Sequence, residues 1–382
     1  MKISLCMIVK DERDYLEGAV ASAADLVDEI VVVDTGSTDG TDTLATDLGA
    51  RVSRVPFLGD FSAARNAALR EASGEWIVFL DADERLLPAY RDALSGALAE
   101  ASDDVLGFRL LRYNFFATGG FYTGREIRVL RNAPGVEYRR RVNESVTGAV
   151  ADLGGRLLAA PVVFNHFGHC RPVAVRDAKA RRYLDLMDEQ LRADPGDAIL
   201  LGYQGLILRT LGRFTEAARL SEQSVAAGPG NPVVWLFRGH VLRSLGDDAE
   251  ALEAYQRGLD VADGFNAALH NMVGVQHAVL GDHDRARASF GISRDQEPLF
   301  LHTDINLGLL AEAEGDWVAA ERHYAAAGAA NPGFFHDDLR GRSERDLYRP
   351  FYYETVFGYG GLGHHLGQAR LRLAGDLPAS GR

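Results

Sequence analysis

Two aspartates separated by one residue follow a short apolar run in the first quarter of the chain. The run 76–80 (WIVFL) leads directly into Asp81, Ala82 and Asp83. Carboxylates this close repel each other unless a cation lies between them. Hard divalent cations such as Mg²⁺ and Mn²⁺ take oxygen ligands and bridge to the phosphates of a substrate. The two aspartates therefore predict a metal-dependent phosphate site.

A third carboxylate stands at the end of an earlier apolar run, 31–33 (VVV). Asp34 is followed by the polar turn 35–41 (TGSTDGT), which leads into a helical pattern. A carboxylate at the carboxyl end of a parallel strand faces the ligand crevice of the sheet, where Asp34 can accept hydrogen bonds from a base or a ribose. The alternative is that residues 37–39 only cap the next helix, but capping does not require Asp34.

Alternating strands and helices must position these carboxylates. The pattern predicts strands and helices, in chain order, at 3–9, 11–24, 29–33, 41–48, 51–55, 61–72 and 76–80. Such alternation is typical of an α/β fold with a mostly parallel sheet and ligands at its carboxyl edge. Beyond it, aromatic and arginine-rich strands at 105–112 and 127–130 predict a mixed extension of the sheet that carries an acceptor site.

The second half of the chain repeats itself. Glycines that follow apolar helical segments are spaced by 34, 35 and 34 residues, at Gly212, Gly246, Gly281 and Gly315. A second set keeps the same register at Gly205, Gly239, Gly274 and Gly308. This period and these residue types are typical of tetratricopeptide repeats, which are antiparallel helix pairs stacked into an all-α solenoid.

These patterns predict four segments along the chain. They are an α/β domain at 1–170, a linking and capping helix at 171–195, four repeats at 196–333, and a C-terminal cap and tail at 334–382. Both ends of a solenoid need caps, because each repeat buries its faces only against its neighbours. We expect Tyr352, Tyr353 and Phe357 to contribute to the C-terminal cap.

Composition limits the classes of protein that the sequence fits. The 382 residues are 47% apolar and 25% charged, which is typical of a folded chain large enough for two cores. Acidic side chains outnumber basic ones by 54 to 41, and the net charge of −13 argues against a nucleic-acid partner. Two cysteines form neither a disulfide framework nor a zinc site. Because no apolar run has the length of a signal peptide or a membrane span, we expect a soluble, cytoplasmic protein.

Four ordered motifs resemble those of the family 2 glycosyltransferases, which have the GT-A (Rossmann-like) fold. They are residues 7–12 (MIVKDE), 34–41 (DTGSTDGT), 61–66 (FSAARN) and 76–84 (WIVFLDADE). The resemblance implies inverting transfer of a sugar from a nucleotide-diphosphate donor, with UDP-sugar favoured and Mn²⁺ or Mg²⁺ as cofactor. It also implies that Glu12 and Asp34 bind the nucleoside, Arg65 and Asn66 line the donor pocket, and Asp81 and Asp83 hold donor and metal.

One cationic stretch of the first half lies between positions 125 and 141. The stretch contains two glutamates, Glu126 and Glu137, and six arginines, which are Arg125, Arg128, Arg131, Arg139, Arg140 and Arg141. No lysine lies between positions 11 and 178, so arginine or histidine must neutralise a departing diphosphate. We expect Arg125 and Arg128 to contact the donor. The alternative is an edge strand whose charges block pairing with another chain.

A base and further metal ligands are predicted near the end of the first half. Inverting transfer needs a base for the acceptor proton, and Glu144 in the run 141–145 (RVNES) is the candidate. Related repeat-bearing transferases often have His-Glu here, so Asn143 is a departure that keeps the carboxylate. The run 165–169 (NHFGH) resembles a His-aromatic-Gly element of the family, which implies His166 and His169 as metal or diphosphate ligands unless they are structural.

Three functions compete. The leading hypothesis is an inverting hexosyltransferase whose repeats bind a peptide or protein acceptor at Cys or Ser, or pair with a second copy of the chain. A saccharide or cell-envelope acceptor is the alternative within this class. A non-catalytic scaffold with a decayed transferase fold is disfavoured by the retention of Asp34, Asp81 and Asp83. Nucleotidyl transfer is disfavoured because no glycine- and lysine-rich loop follows Val9.

Overall fold

The computed structural model describes residues 1–116, 120–264, 266–335 and 361–375. The chain divides into two units, of which the first comprises Met1–Asn114 and Thr123–Gly168. The second comprises Phe115–Tyr122 and His169–Arg382. The predicted capping residues Tyr352, Tyr353 and Phe357 lie outside the described residues.

An eight-stranded mixed sheet has the order β3-β2-β1-β4-β7-β6-β8-β5. Its strands are β1 (Ile3–Val9), β2 (Glu29–Asp34), β3 (Arg51–Arg54), β4 (Trp76–Phe79), β5 (Glu84–Leu86), β6 (Val105–Phe115), β7 (Phe121–Arg131) and β8 (Arg156–His166). The first four strands are mutually parallel, and β7 pairs with β4 in the antiparallel sense. The carboxyl ends of β1, β2 and β4 therefore meet at one edge, as the alternating pattern predicts.

Helices cover both faces of this sheet. They are α1 (Arg13–Ala23), α2 (Thr41–Asp47), α3 (Phe61–Glu71), α4 (Arg91–Ala99) and α5 (Thr147–Asp152). Along β1, Leu5, Met7 and Val9 face the core that α1 covers, whereas Cys6 and Ile8 face the core that α3 covers. Burial on both faces explains why β1 is a continuous apolar run without alternation.

The position of β7 corrects one alternative drawn from the sequence. β7 lies between β4 and β6, in the interior of the sheet, so the edge-strand interpretation of its arginines is wrong. Of the β7 arginines, Arg128 is buried and therefore needs partners within the protein.

The second unit is mainly helical. After α6 (Val173–Ala193) come four helix pairs, α7 (Ala198–Thr210) with α8 (Phe214–Ala227), α9 (Pro232–Leu245) with α10 (Asp248–Val261), α11 (Ala267–Val279) with α12 (His283–Gln296), and α13 (His302–Glu314) with α14 (Trp317–Ala330). Gly246 and Gly315 end α9 and α13 with φ of 87° and 79°, a conformation that favours glycine. The final helix, α15 (Leu362–Ala374), packs against α14.

The predicted fold class is confirmed, because an α/β sheet domain precedes helical repeats. Across the described ranges, every helix is too short or too polar to cross a membrane.

Candidate active site

Asp34 ends β2 with one carboxylate oxygen satisfied and the other buried. Its Oδ1 accepts hydrogen bonds from the backbone N–H groups of Gly36 at 2.7 Å and Ser37 at 2.8 Å. The residue is only 1% exposed, and among the described residues its Oδ2 has no hydrogen-bond partner. A buried acceptor without a partner costs about 1–3 kcal/mol. A ligand N–H or O–H group would remove that cost, which fits a base or a ribose.

The loop after β1 is joined to the loop after β2. The backbone N–H of Glu12 donates to Thr41 Oγ1 at 2.9 Å, and Asp11 Oδ1 accepts from the Thr38 N–H at 2.7 Å. Val9 and Asp34 are partners in the β1–β2 register. The structure thus brings the two predicted nucleoside residues, Glu12 and Asp34, to the ends of adjacent strands and fixes the loops around them.

Asp81 follows β4 and lies between two guanidinium groups. Its Oδ1 is 3.1 Å from Arg65 Nη2, and its Oδ2 is 3.2 Å from Arg128 Nη2. Arg65 comes from α3 and Arg128 from β7, so the contacts join elements on different sides of the turn. The Asp81 side chain remains 33% exposed, which leaves part of the carboxylate open to a ligand.

Glu84 closes this turn, since its backbone N–H donates to the Asp81 carbonyl oxygen at 2.9 Å, and its side chain is completely buried. Its two oxygens contact Arg128, with Oε1 2.6 Å from Nη2 and Oε2 3.1 Å from Nε. Burial raises the pKa of Glu84 to about 7, although the charge of Arg128 opposes the shift. Burial alone would lower the pKa of Arg128, but the charges of Glu84 and Asp81 outweigh it and raise that pKa.

Arg65 connects Asp81 to the predicted base. Its Nε lies 2.7 Å from Glu144 Oε1, while its Nη2 contacts Asp81. Burial acts to lower the pKa of Arg65, but the charges of Asp81 and Glu144 hold it well above the ordinary value. The guanidinium carbon lies 5.4 Å from the ring centroid of Phe79 and 5.5 Å from that of Tyr138. Nη1 is buried with no hydrogen-bond partner among the described residues, so it can donate to a ligand oxygen.

The side chain of Asn66 forms hydrogen bonds to the backbone of Tyr138. Its Nδ2 donates to the carbonyl oxygen of Tyr138 at 2.8 Å, and its Oδ1 accepts from the Tyr138 N–H at 2.8 Å. Both polar ends of the amide are therefore used to place Tyr138 beside Arg65. This is a positioning contact, and direct contact of Asn66 with a donor stays a prediction.

A strained loop brings Glu144 to Arg65. Arg139 and Ser145 form a bridge that closes the loop, within which Arg140 and Asn143 have φ of 82° and 50°. Positive φ is unfavourable for side chains other than glycine, so the loop needs support from its surroundings. Part of that support comes from the start of α3, where the Phe61 N–H donates to the Arg141 carbonyl at 3.0 Å.

Asp83 and His166 form the candidate metal site. Asp83 Oδ1 lies 3.5 Å from His166 Nε2, and His166 Nδ1 lies 2.7 Å from the amide oxygen of Asn114. Because that oxygen accepts, we assign the ring proton to Nδ1, which directs the Nε2 lone pair toward Asp83. A Cβ at Gly168 would lie 2.5 Å from His166 Nε2 and 2.8 Å from Asp83 Oδ2, so glycine leaves the space beside both atoms open.

The oxygen and nitrogen atoms of Asp83 and His166 fit a divalent cation whose remaining ligands come from a bound substrate. Within the described part of the chain, no group of three or more His, Cys, Asp and Glu side chains is arranged to hold a metal. Asp83 and His166 would supply two ligands, and Mg²⁺ or Mn²⁺ commonly binds through few protein groups together with substrate phosphates. The residues present therefore fit the predicted cofactor, provided that the donor supplies the remaining ligands.

Two predicted residues have other surroundings. Arg125 directs Nη1 toward the carbonyl oxygen of Ala160, 3.5 Å away, and burial followed by the charge of Arg109 lowers its pKa. His169 belongs to the second unit, where its Nε2 lies 3.1 Å from the hydroxyl of Tyr122. Roles for Arg125 at the donor and for His169 at the metal stay predictions.

The sequence analysis did not identify Arg85, which supports the turn 81–84. Arg85 Nη1 donates to the carbonyl oxygens of Ala82 and Glu84 at 2.8 and 2.7 Å, and its Nη2 donates to that of Tyr15 at 2.8 Å. A Cβ at Gly18 would lie 2.5 Å from Arg85 Nη2, so glycine makes room for this guanidinium. The available signal was a charged pair, Glu84 and Arg85, directly after an apolar strand and a predicted metal motif.

Comparisons with known proteins find two families along the chain. A glycosyl transferase family 2 model matches residues 4–151, and a tetratricopeptide repeat model matches 179–232 and 204–267. A TPR repeat-containing protein of Synechococcus elongatus is 36% identical over 228 residues, which are 58% of this chain and 56% of that protein. The lipopolysaccharide core biosynthesis glycosyltransferase LpsC of Rhizobium meliloti is 36% identical over 137 residues, covering 35% of this chain and 49% of LpsC.

A solved structure is also similar over part of the chain. It is glucosyl-3-phosphoglycerate synthase from Mycobacterium tuberculosis in complex with Mn²⁺ and UDP-glucose, with a TM-score of 0.25, 29% identity, and coverage of 30% of this chain and 43% of that one. The chain spans about half the length of the two curated relatives described above. Residues 4–151 form a glycosyl transferase family 2 domain, and the chain joins this domain to C-terminal tetratricopeptide repeats.

Proposed function

We propose that the protein is a metal-dependent, inverting glycosyltransferase that uses a nucleotide-diphosphate sugar, with UDP-sugar favoured. The observation that carries the proposal is the buried Oδ2 of Asp34, which has no hydrogen-bond partner among the described residues and lies at the same sheet edge as the turn of Asp81 and Asp83. Asp34 suits a nucleoside, and the turn of Asp81 and Asp83 suits a diphosphate with its cation. Both belong to a family 2 glycosyltransferase domain.

The residues divide the work of a single displacement. A bond forms between the acceptor oxygen or sulfur and the sugar carbon while the bond from that carbon to the diphosphate breaks, which inverts the configuration. Glu144 takes the acceptor proton, and Arg65 Nε, 2.7 Å from its Oε1, holds the carboxylate in place. Asp83 and His166 would hold the cation, which as a Lewis acid stabilises the charge of the leaving diphosphate. Arg65 Nη1, which is buried with no hydrogen-bond partner among the described residues, would donate to an oxygen of the donor.

The acceptor that we propose is a peptide or protein bearing Cys or Ser. Tetratricopeptide repeats present extended surfaces that suit peptide segments, and the family model identifies such repeats in this chain. A saccharide acceptor is the second candidate. It is favoured by the similarity of 137 residues of this chain to a lipopolysaccharide core biosynthesis glycosyltransferase.

A donor screen tests the enzyme class. The purified chain is incubated with labelled UDP- and GDP-sugars in Mn²⁺ or in chelator, and release of sugar is measured. We expect metal-dependent release with one donor and its loss in Asp83→Ala, whereas Asp25→Ala, at an exposed carboxylate that pairs with Arg91, keeps the wild-type rate. Equal rates in wild type and Asp83→Ala would remove the metal mechanism. Mass spectrometry of peptides and oligosaccharides incubated with the active donor then decides between the two acceptors.

A further inference from the structure

We propose that Glu84 is a positioning residue for donor binding, which it controls by setting the orientation of Asp81. This inference rests on the proposed function, because it concerns the site at which a sugar nucleotide binds. Glu84 is fully buried and therefore cannot act by touching the donor itself.

Glu84 acts on Asp81 along two routes. Its Oε2 accepts the backbone N–H of Asp81 at 3.0 Å, which fixes the first residue of the turn. Its carboxylate also contacts both Nη2 and Nε of Arg128, and that same Nη2 is the group that contacts Asp81 Oδ2. The Glu84 carboxylate thus holds both the backbone of Asp81 and the Arg128 guanidinium that contacts the Asp81 side chain.

The distances show how the two carboxylates share Arg128. Nη2 lies 2.6 Å from Glu84 Oε1 but 3.2 Å from Asp81 Oδ2, so the shorter contact goes to the buried glutamate. A charged hydrogen bond at the shorter distance is the stronger one. Glu84 therefore keeps Arg128 from closing tightly on Asp81, whose side chain is 33% exposed.

Loss of the charge at Glu84 would redistribute these contacts. In Glu84→Gln, Arg128 remains buried and charged with Asp81 as its nearest full counter-charge. We expect Arg128 to pair more closely with Asp81 and to turn its carboxylate away from the donor. A purely structural ion pair between Glu84 and Arg128 predicts a loss of stability without this specific dependence on Asp81.

A double-mutant cycle distinguishes the two roles. Calorimetry in Mn²⁺ measures the Kd of whichever of UDP and GDP the wild type binds more tightly, for the full-length wild type, Glu84→Gln, Asp81→Asn and the double variant. We expect Glu84→Gln to raise Kd roughly ten- to a hundredfold, the range of one charged hydrogen bond, and the double variant to bind no more weakly than Asp81→Asn. Glu75→Gln is the matched control, because Glu75 is 53% exposed and pairs with Arg131, another arginine of β7, at 3.3 Å, and its Kd should equal that of the wild type.

The outcomes separate this inference from the proposed function. Additive losses in the cycle, or an unchanged Kd in Glu84→Gln, would overturn the positioning role while the proposed function stands. Failure of the wild type to bind either nucleotide would overturn both. If Glu84→Gln does not fold, Glu84→Asp replaces it in the cycle, because its shorter side chain keeps a charge beside Arg128 but withdraws from the Asp81 N–H and from Arg128. A weaker nucleotide Kd that is non-additive with Asp81→Asn is then expected, and additive losses or an unchanged Kd again overturn the inference.

Discussion

Arg65 and Glu144 are 79 residues apart in the chain, yet Arg65 Nε lies 2.7 Å from Glu144 Oε1. The same guanidinium reaches Asp81 through Nη2 at 3.1 Å. Arg65 therefore links the carboxylate proposed as base to the first aspartate of the turn after β4. A planar guanidinium can serve two carboxylates at fixed directions, whereas an ammonium group cannot reproduce that geometry.

We expect Arg65→Lys to lower kcat/KM roughly ten- to a hundredfold, the range of one charged hydrogen bond. Initial rates with the donor found by the screen measure the effect. Arg70→Lys, at an exposed position near the end of the same helix, is the matched control and should keep the wild-type value. A wild-type rate in Arg65→Lys would show that the double contact has no part in transfer.

We expect Glu144→Gln to reduce kcat by roughly 10²- to 10⁴-fold, since the amide cannot take the acceptor proton. The nucleotide Kd should stay near the wild-type value, because the proposed role concerns the acceptor. Single-turnover rates and calorimetry measure the two quantities separately. Glu137→Gln, at an exposed partner of Arg139, controls for loss of charge in this region. Undiminished transfer in Glu144→Gln would mean that another group is the base.

We expect Asn114→Ala to weaken Mn²⁺ binding in the presence of nucleotide by roughly ten- to a hundredfold. Asn114 accepts from His166 Nδ1 and so fixes the ring that faces Asp83. Titration of Mn²⁺ followed by electron paramagnetic resonance measures the affinity. Thermal unfolding of the metal-free variant shows how much stability is lost with the buried amide. Unchanged Mn²⁺ affinity would indicate that His166 is not a ligand.

Two glycines inside helices should respond to alanine with opposite signs. Gly18→Ala in α1 forces Arg85 to move, and overpacking of this kind costs about 1–3 kcal/mol of unfolding free energy. Gly96→Ala in α4 meets no atom within 4 Å and should stabilise the protein by about 0.5–1 kcal/mol. Chemical denaturation measures both free energies. Equal effects of the two substitutions would contradict the support that Arg85 gives to the turn 81–84.

Glu29 should make stability depend on acid pH. Burial alone would raise the pKa of Glu29, but hydrogen bonds from Ser4, Ser73 and Lys2 outweigh it and lower this pKa to about 2. A folded pKa below the unfolded value, about 4.3, means that the stabilisation is complete above the unfolded value and is lost as pH falls through the folded one.

The test compares the Tm of the wild type with that of Glu29→Gln across this range. The advantage of the wild type should be constant above pH about 5, shrink below about 4.3 and vanish near the folded pKa of about 2. Glu100→Gln, at an exposed residue, controls for removal of one negative charge. A wild-type advantage that persists unchanged at the lowest pH would contradict the hydrogen-bonded setting of Glu29.

Local patterns predicted much of the fold because they reflect forces that act within short segments. Burial on both faces makes β1 and β4 continuous apolar runs, and the 34-residue spacing of helix-ending glycines identifies the repeats. The carboxyl ends of parallel strands meet at one edge, so Glu12, Asp34 and Asp81 could be placed together without a structure. These inferences need only periodicity and the direction of the chain.

Pairwise partners could not be predicted in the same way. The expectation that Arg125 and Arg128 both contact the donor did not distinguish Arg128, which contacts Asp81 and Glu84, from Arg125, which contacts the carbonyl oxygen of Ala160. Similarly, Asn66 contacts the backbone of Tyr138. The pairing of each arginine with a carboxylate depends on the strand order and on the side from which a helix approaches the sheet. The local spacing of residues determines neither of these.

The sequence by itself determined the two kinds of architecture, the family 2 motifs and the edge of the sheet where the carboxylates gather. Only the tertiary structure decided that β7 is interior, that the Glu84 side chain is buried, and that Arg65 joins Asp81 to Glu144. The physical reason is the separation along the chain over which each effect acts. Backbone periodicity acts over a few residues, whereas the pairing of buried charges is selected by packing between segments that lie tens of residues apart.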